Sequence, residues 1–304
     1  MQCAVVGGAN IDIGGFPEGA MVMEDSNPGR VRASAGGVGR NIACSLARLG
    51  VRTRLVTALG SDAFAEIIRA DCRTAGVDLS DALTFDAGSA VYLYIADSAG
   101  DMRLAVNDMA LCARLTPEAL ADRLDTLNAM DAVVLDANLP EETLRWLSER
   151  VRVPLIADAV SAAKAHRLLP ALPRLRAIKP NALEAAALTG IPVTDLESAR
   201  AAARRLVAMG VGRAFVTLGD RGLCCADTGG AYCVPAPPVR LVNATGAGDA
   251  FTAALAWAEL RGLDLVEAAR AGMATAAITA ECPDAVSPLI SPGAVAERMK
   301  IHES

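Results

Sequence analysis

The sequence predicts an α/β fold in which a mostly parallel sheet is covered by helices on both faces. Three observations carry this. Between residues 132 and 218 short apolar strands alternate with helical segments, the pattern of successive strand–helix–strand crossovers. The first strand is a short apolar run, Cys3-Ala4-Val5-Val6, ending in glycines with polar residues just beyond it, where open α/β sheets place ligands. The 304 residues carry no internal repeat, low-complexity tract or linker, so a single main domain spanning 1–304 is expected.

In chain order, Gly7 and Gly8 close the first strand, and Asn10 and Asp12 follow. Val5-Val6-Gly7-Gly8 resembles a dinucleotide-binding start, but the third glycine of that fingerprint falls on Asp12, which argues against a nicotinamide oxidoreductase. Residues 11–34 lack helical periodicity and contain Pro17, Gly19, Asn27, Pro28 and Gly29, so they read as strands and turns projecting from the main body. Ala35-Gly36-Gly37-Val38-Gly39-Arg40-Asn41 opens an apolar helix that runs to about Leu49 and stops at Gly50. Its glycines suit either a flexible loop or close backbone approach to a polar ligand. A strand at 52–58 and a helix at 62–75, ended by Gly76, come next. Residues 89–96 and 102–106 form a hairpin around Ser98-Ala99-Gly100-Asp101, followed by Asn107-Asp108. With 11–34, the segment 89–106 is expected to build a small β-sheet lid.

Strands at 132–135, 154–157, 177–179 and 213–218 then alternate with helices at 141–149, 182–189 and 196–209. A hairpin at 223–226 and 231–234 and helices at about 247–260 and 265–280 nearly close the chain.

Composition narrows the function. The chain is 53% hydrophobic and 21% charged, with a net charge of −6 and no basic run, so a nucleic-acid polymer is an unsuitable partner. No apolar run approaches membrane-spanning length, and the N-terminus does not read as a signal peptide. The eight cysteines are scattered without a Cys-x-x-Cys pair and read as reduced core residues of a cytoplasmic protein; Cys224 and Cys225 should point to opposite faces of one strand. With two histidines, His166 and His302, neither a serine triad nor a histidine zinc site has much to draw on, so proton chemistry rests on carboxylates.

The stretch Asn243-Ala244-Thr245-Gly246-Ala247-Gly248-Asp249-Ala250-Phe251 bears most on chemistry. A turn of small residues opens into an apolar helix, whose first amides and dipole suit a phosphate. Asp249 in the first turn is placed to take a proton from an attacking hydroxyl; the plainer alternative is a Thr245 cap with Asp249 complementing the dipole. Asn181 and Glu184, straight after Lys179-Pro180, form either a capping box or a holder for hydrated Mg²⁺. Thr217-Leu218-Gly219-Asp220-Arg221-Gly222 is either a hairpin turn or a nucleotide loop. There is no Gly-Lys pair, and the three lysines, Lys164, Lys179 and Lys300, are too few to bind phosphate alone.

The order of these features, from a Gly-Gly-x-Gly-x-Asn loop through an Asn-x-x-Glu helix start and a Thr-Leu-Gly turn to Thr-Gly-Ala-Gly-Asp, resembles the ribokinase-like, or PfkB, carbohydrate kinase family over about residues 3–298. The resemblance implies a three-layer α/β/α sandwich with a small lid, and phosphorylation of a sugar hydroxyl by ATP with Mg²⁺. It implies Asp249 as general base, with Gly246, Ala247 and Gly248 at an anion hole. Asn181 and Glu184 would hold the metal, largely through water. Thr217, Gly219 and Gly222 would line the nucleotide, together with Asn181, Gly246 and Gly248. Asn10, Asp12, Gly36, Gly37, Asn41, Asn107 and Asn138 would face the sugar. Asp25-Ser26-Asn27-Pro28-Gly29, Asn107-Asp108-Met109, Asn243 and Asp158-Ala159-Val160-Ser161 with Lys164 look most like the family's pseudouridine kinases. That implies transfer to the 5′-hydroxyl of pseudouridine, with ribose, adenosine or another nucleoside as the alternative acceptor. Asn243 stands where most relatives carry an Asp of a monovalent-cation loop, which argues against K⁺ activation. The family's habits also imply a homodimer formed through the lid. A silent sugar sensor on the same fold is the rival from another class, and the intact Asp249 and Glu184 argue against it.

Overall fold

The structure, a computed structural model, describes residues 1–97 and 102–300. The expected turn at 98–101 and His302 lie outside these residues.

The central sheet has nine strands, ordered from one edge as Gly230–Val234, Leu223–Asp227, Arg213–Thr217, Leu175–Lys179, Leu155–Asp158, Ala132–Asp136, Gln2–Val6, Arg52–Val56 and Val77–Asp78. The pairings from Arg213–Thr217 through to Val77–Asp78 are parallel, and the hairpin at the other edge is antiparallel. Alternation along each strand divides two cores. Cys3, Val5, Ala132 and Val134 meet the helices Val38–Arg48, Ala63–Ala75, Ala247–Leu260 and Leu265–Ala280. Ala4, Val6, Val133 and Leu135 meet Glu141–Arg150, Ala182–Thr189 and Leu196–Ala208 on the other face. This is the expected three-layer sandwich. Among the described residues no helix is long and apolar enough to cross a membrane.

Local chemistry sets the helix bounds. Asp62 caps one helix start by accepting from the Ala65 amide, and Gly76 ends that helix at φ 77°. Reciprocal capping boxes start three others, at Asn181/Glu184, Asp195/Ser198 and Asp264/Glu267. The closing helix Pro292–Lys300 and the short helices between residues 110 and 128 add to the elements expected from sequence.

The chain leaves the first strand at its C-terminal end, and the sheet grows away from that strand in both directions. The junction beside Ala132–Asp136 is therefore a topological switch point, where such sheets open a crevice. Above it stands a separate four-stranded sheet, ordered Gly29–Gly36, Asn10–Pro17, Val91–Ala96 and Met102–Asp108. Its register sorts the two faces. Asp12, Ser34, Tyr92 and Asn107 share one row and Gly14, Arg32, Tyr94 and Ala105 the next. The opposite face carries Ile13, Ala33, Leu93 and Val106, then Gly15, Val31, Ile95 and Leu104.

One expectation is corrected. Cys224 and Cys225 do point to opposite cores, but Cys224 is not a free thiol: it forms a disulfide with Cys233. The two lie directly opposite each other in the edge hairpin, a proximity that depends on strand register and not on any sequence spacing of cysteines.

Candidate active site

Helix Ala247–Leu260 begins at Gly246, whose φ of 81° is a left-handed value, and no side chain caps it. Thr245 therefore does not cap this helix. A Cβ on Gly246 would run into the Ala285 carbonyl, so the turn is closed from behind by the chain itself. The Ala247 amide makes a long turn bond to Ala244 O at 3.3 Å, and Gly248 is exposed at the open helix end. A β-carbon on Gly248 would meet Lys179 Nζ at 2.9 Å.

Asp249 lies in the first turn, and its Oδ2 accepts from Asn41 Nδ2 at 2.8 Å. Burial pushes its carboxyl up to about 7; the charge of Asp158 adds to this, the Asn41 bond and Lys179 oppose it, and Asp136 raises it further. A carboxylate poised near neutrality beside an uncapped helix start can accept a proton while the amides hold an anion.

Three residues behind it carry the electrostatics, and each ends a buried strand. Asp136 receives the Gly8 amide at 2.8 Å and the Asn138 amide at 2.9 Å, yet burial still raises its pKa. Asp158 accepts from Thr252 Oγ1 at 2.6 Å and pairs with Lys179 at 3.2 Å. Burial pulls Lys179 down, but Asp158, Glu184 and Asp249 together hold it above its ordinary value. Directly after Asp158, Val160 sits at φ 64°, a strained value for a β-branched residue. The sequence reading gave Asp136, Lys179, Thr252 and Arg40 no role. For Asp136 and Lys179 the available signal was a charged residue closing a strand at the ligand-facing end of the sheet; Thr252 and Arg40 lie on helices and offered none.

Asn10, Asp12, Asn41 and Asn138 gather at the same crevice. Asn10 Nδ2 donates to Asp12 Oδ1 at 2.7 Å, and burial raises the Asp12 pKa against that bond and against Arg40. Lys164 donates to Asn138 Oδ1 at 2.6 Å. Asn107 shares its face of the small sheet with Asp12, across the intervening Tyr92. The glycines of the first loop have a use in the fold itself. A Cβ on Gly36 would collide with the Asp12 carboxylate, one on Gly37 would lie 2.6 Å from Gly8 O, and one on Gly39 would lie 2.8 Å from Gly7 C. They let helix Val38–Arg48 approach the first strand turn closely enough for Asn41 to reach Asp249.

Asn181 and Glu184 make the full capping box. The Glu184 amide donates to Asn181 Oδ1 at 3.0 Å, Glu184 Oε2 accepts from the Asn181 amide at 2.9 Å, and its Oε1 accepts from Asn181 Nδ2 at 2.8 Å. Both carboxylate oxygens are engaged, which fits a hydrated Mg²⁺ better than a directly ligated one. The charge balance fits a divalent cation too: Asp158, Glu184 and Asp249 surround the buried Lys179, and Asp136 adds a fourth carboxylate beside Asp249. Thr217 bridges to Asn181, and its amide donates to Pro180 O at 3.0 Å, joining the two loops. Gly219 is exposed with open space around it, whereas Gly222 is buried against Val234 O.

Comparison with known proteins identifies the family. The family profile described as pfkB family carbohydrate kinase matches residues 1–292. The chain is 33% identical over 290 residues to the pseudouridine kinase of Escherichia coli, covering 94% of this chain and 93% of that one. Among solved structures, a carbohydrate kinase from Agrobacterium tumefaciens is 34% identical with a TM-score of 0.88, covering 99% of this chain and 98% of that one. An Arabidopsis thaliana ribokinase complexed with ribose and ATP is 25% identical, also with a TM-score of 0.88, covering 98% of each. The chain belongs to the pfkB family of carbohydrate kinases and is an ATP-dependent sugar or nucleoside kinase.

Proposed function

We propose that this kinase transfers the γ-phosphoryl group of ATP to the 5′-hydroxyl of pseudouridine. The observation that carries the chemistry is the uncapped start of helix Ala247–Leu260, with Asp249 in its first turn aimed by Asn41. In this reading Asp249 takes the proton of the attacking hydroxyl. The amides of the Gly246-Ala247-Gly248 turn hold the transferring phosphoryl group, which needs positioning and charge neutralisation more than covalent help. Asn181 and Glu184 hold Mg²⁺ through water, and bound Mg²⁺ offsets phosphate charge. Thr217 and Gly219 line the nucleotide; Gly222 acts through the fold of that turn.

Asn10, Asp12, Gly36, Gly37, Asn41, Asn107 and Asn138 face the nucleoside. The small sheet acts as a lid, and its aromatic row supports a flat ring as substrate. Phe16 and Tyr94 meet edge-on at 5.9 Å, Tyr92 lies 6.0 Å from Tyr94, and Gly14 leaves room for the Tyr94 ring. The similarity to pseudouridine kinase supports pseudouridine among flat acceptors. Asn243 ties its loop together with its own amide, donating to Pro283 O and accepting from the Thr245 amide, so K⁺ is dispensable in this reading. On the lid's other face Val31, Leu93, Leu104 and Val106 are exposed in adjacent rows, and a second copy covers them to form a homodimer.

The substrate reading is tested by kcat/KM for pseudouridine, uridine, cytidine, adenosine and ribose at fixed ATP and Mg²⁺. Pseudouridine should lead, by as much as about 10⁴-fold over uridine if its extra ring N–H is bound. Ribose or adenosine in first place would reject pseudouridine and leave the kinase standing.

A further inference from the structure

Cys44 and Cys72 lie on neighbouring helices, Val38–Arg48 and Ala63–Ala75. Their sulfurs and an Asp71 carboxylate oxygen all fall within 4.8 Å of one another. Both cysteines are buried, but the Asp71 side chain is 39% exposed, so the pair sits one side chain below the surface. Arg40, one turn before Cys44, is buried in the same nest and pairs with Asp71. A hydrogen bond from Cys72 lowers the Cys44 thiol pKa against burial; Arg40 lowers it further, while the charge of Asp71 opposes the shift. These are the surroundings of a reactive thiolate with a second thiol at hand. A metal cation suits the cluster less well, because Arg40 already neutralises the one carboxylate and repels another positive charge.

The pair is wired to the site. Arg40 Nη1 donates to Asn41 Oδ1 at 2.7 Å, and Asn41 Nδ2 donates to Asp249 Oδ2 at 2.8 Å. Cys44, Arg40 and Asn41 share one helix, so a pull on Cys44 reaches the group that aims Asp249.

We propose that Cys44 and Cys72 are a hydroperoxide-sensitive dithiol whose oxidation to a disulfide slows phosphoryl transfer by displacing Arg40 and Asn41. The Cys44 thiolate attacks the peroxide oxygen; an S–O bond forms, the O–O bond breaks, and water leaves after protonation. The Cys72 sulfur then attacks the resulting sulfenic acid, forming the S–S bond as the S–O bond breaks. Its proton departs with the hydroxide as a second water when the oxidant is hydrogen peroxide. Two electrons pass from the sulfurs to the peroxide. Closing the bond draws the sulfurs to about 2.0 Å and so pulls on the helix that carries Arg40 and Asn41. Only the effect on turnover rests on Asp249 being the base.

The test treats reduced full-length protein with hydrogen peroxide, then reads peptide masses and turnover before and after dithiothreitol. The expected map links the Cys44 peptide to the Cys72 peptide with loss of two hydrogens. kcat should fall roughly 10- to 100-fold, the scale of a small misplacement of a catalytic group, and recover on reduction. Cys44→Ala and Cys72→Ala should keep untreated turnover and lose the sensitivity, while their Cys224–Cys233 linkage persists. A map of the unaltered chain without the 44–72 link overturns the dithiol, whether or not the variants fold. The link without a change in kcat overturns its coupling to the site, as does sensitivity retained in both variants. A protein inactive before treatment overturns the kinase reading and the coupling together, while the map still judges the pair.

Discussion

Replacing Asp249 with Asn separates the chemistry of this site from its architecture. The Asn oxygen can still accept the Asn41 bond now made at 2.8 Å, so the geometry has a way to persist. The proton acceptor is lost. A general base is worth about 10²–10⁴-fold, so kcat should fall by that amount at pH 8 with ATP binding retained. The wild-type profile carries the same information. The carboxyl is pushed up to about 7, so kcat/KM should fall about tenfold per pH unit below that value and level off above it. In Asp249→Asn this acid limb should vanish. Stability runs the opposite way. An unfolded Asp titrates near about 3.9, so between about 4 and 7 the native state binds more protons than the unfolded state. Native stability therefore drops as pH rises through that window and stays lower above it. The neutral Asn escapes this cost, and its Tm at pH 8 should equal or exceed that of wild type. The assays are coupled ATP consumption across pH, nucleotide titration and thermal melting. Turnover within about tenfold of wild type, or a clearly lower Tm, would refute the assignment.

Three further perturbations address neighbouring parts. Glu184→Gln should raise the Mg²⁺ concentration needed for half activity and lower kcat, while costing no more than about 1–2 kcal/mol as a weakened cap; an unchanged Mg²⁺ titration would leave Glu184 with the capping role alone. Lys179→Met removes the cation buried against Asp158, which should cost about 3–5 kcal/mol in denaturant melts. Because Lys179 lowers the Asp249 pKa, the acid limb of the surviving activity should also move to higher pH, and an unmoved limb would contradict that coupling. Leu93→Asp puts a charge in the exposed apolar rows of the small sheet and should convert a dimer to a monomer by light scattering. A wild-type monomer at micromolar concentration would discard the dimer but not the lid.

Much of this protein is legible in the chain because much of it is local. Alternation of apolar strands and helices needs only neighbouring residues, and the parallel sheet follows from it. The Asn181–Glu184 box closes within three residues, so its spacing names it in advance. The Gly246-Ala247-Gly248-Asp249 turn is equally compact. What remained hidden depends on partners far apart in the chain. Asn41 and Asp249 are separated by 208 positions, and only the packing of two helices brings them into one hydrogen bond. Asp136, Asp158 and Lys179 end three different strands, and their shared electrostatics exist only because the sheet aligns those ends. The loop glycines look like flexibility or ligand clearance in sequence; their steric reason, the approach of Gly37 and Gly39 to Gly7 and Gly8, is a tertiary contact. The Cys224–Cys233 bond follows the same rule. Strand alternation assigns each sulfur a face, but cross-strand register decides which two sulfurs meet.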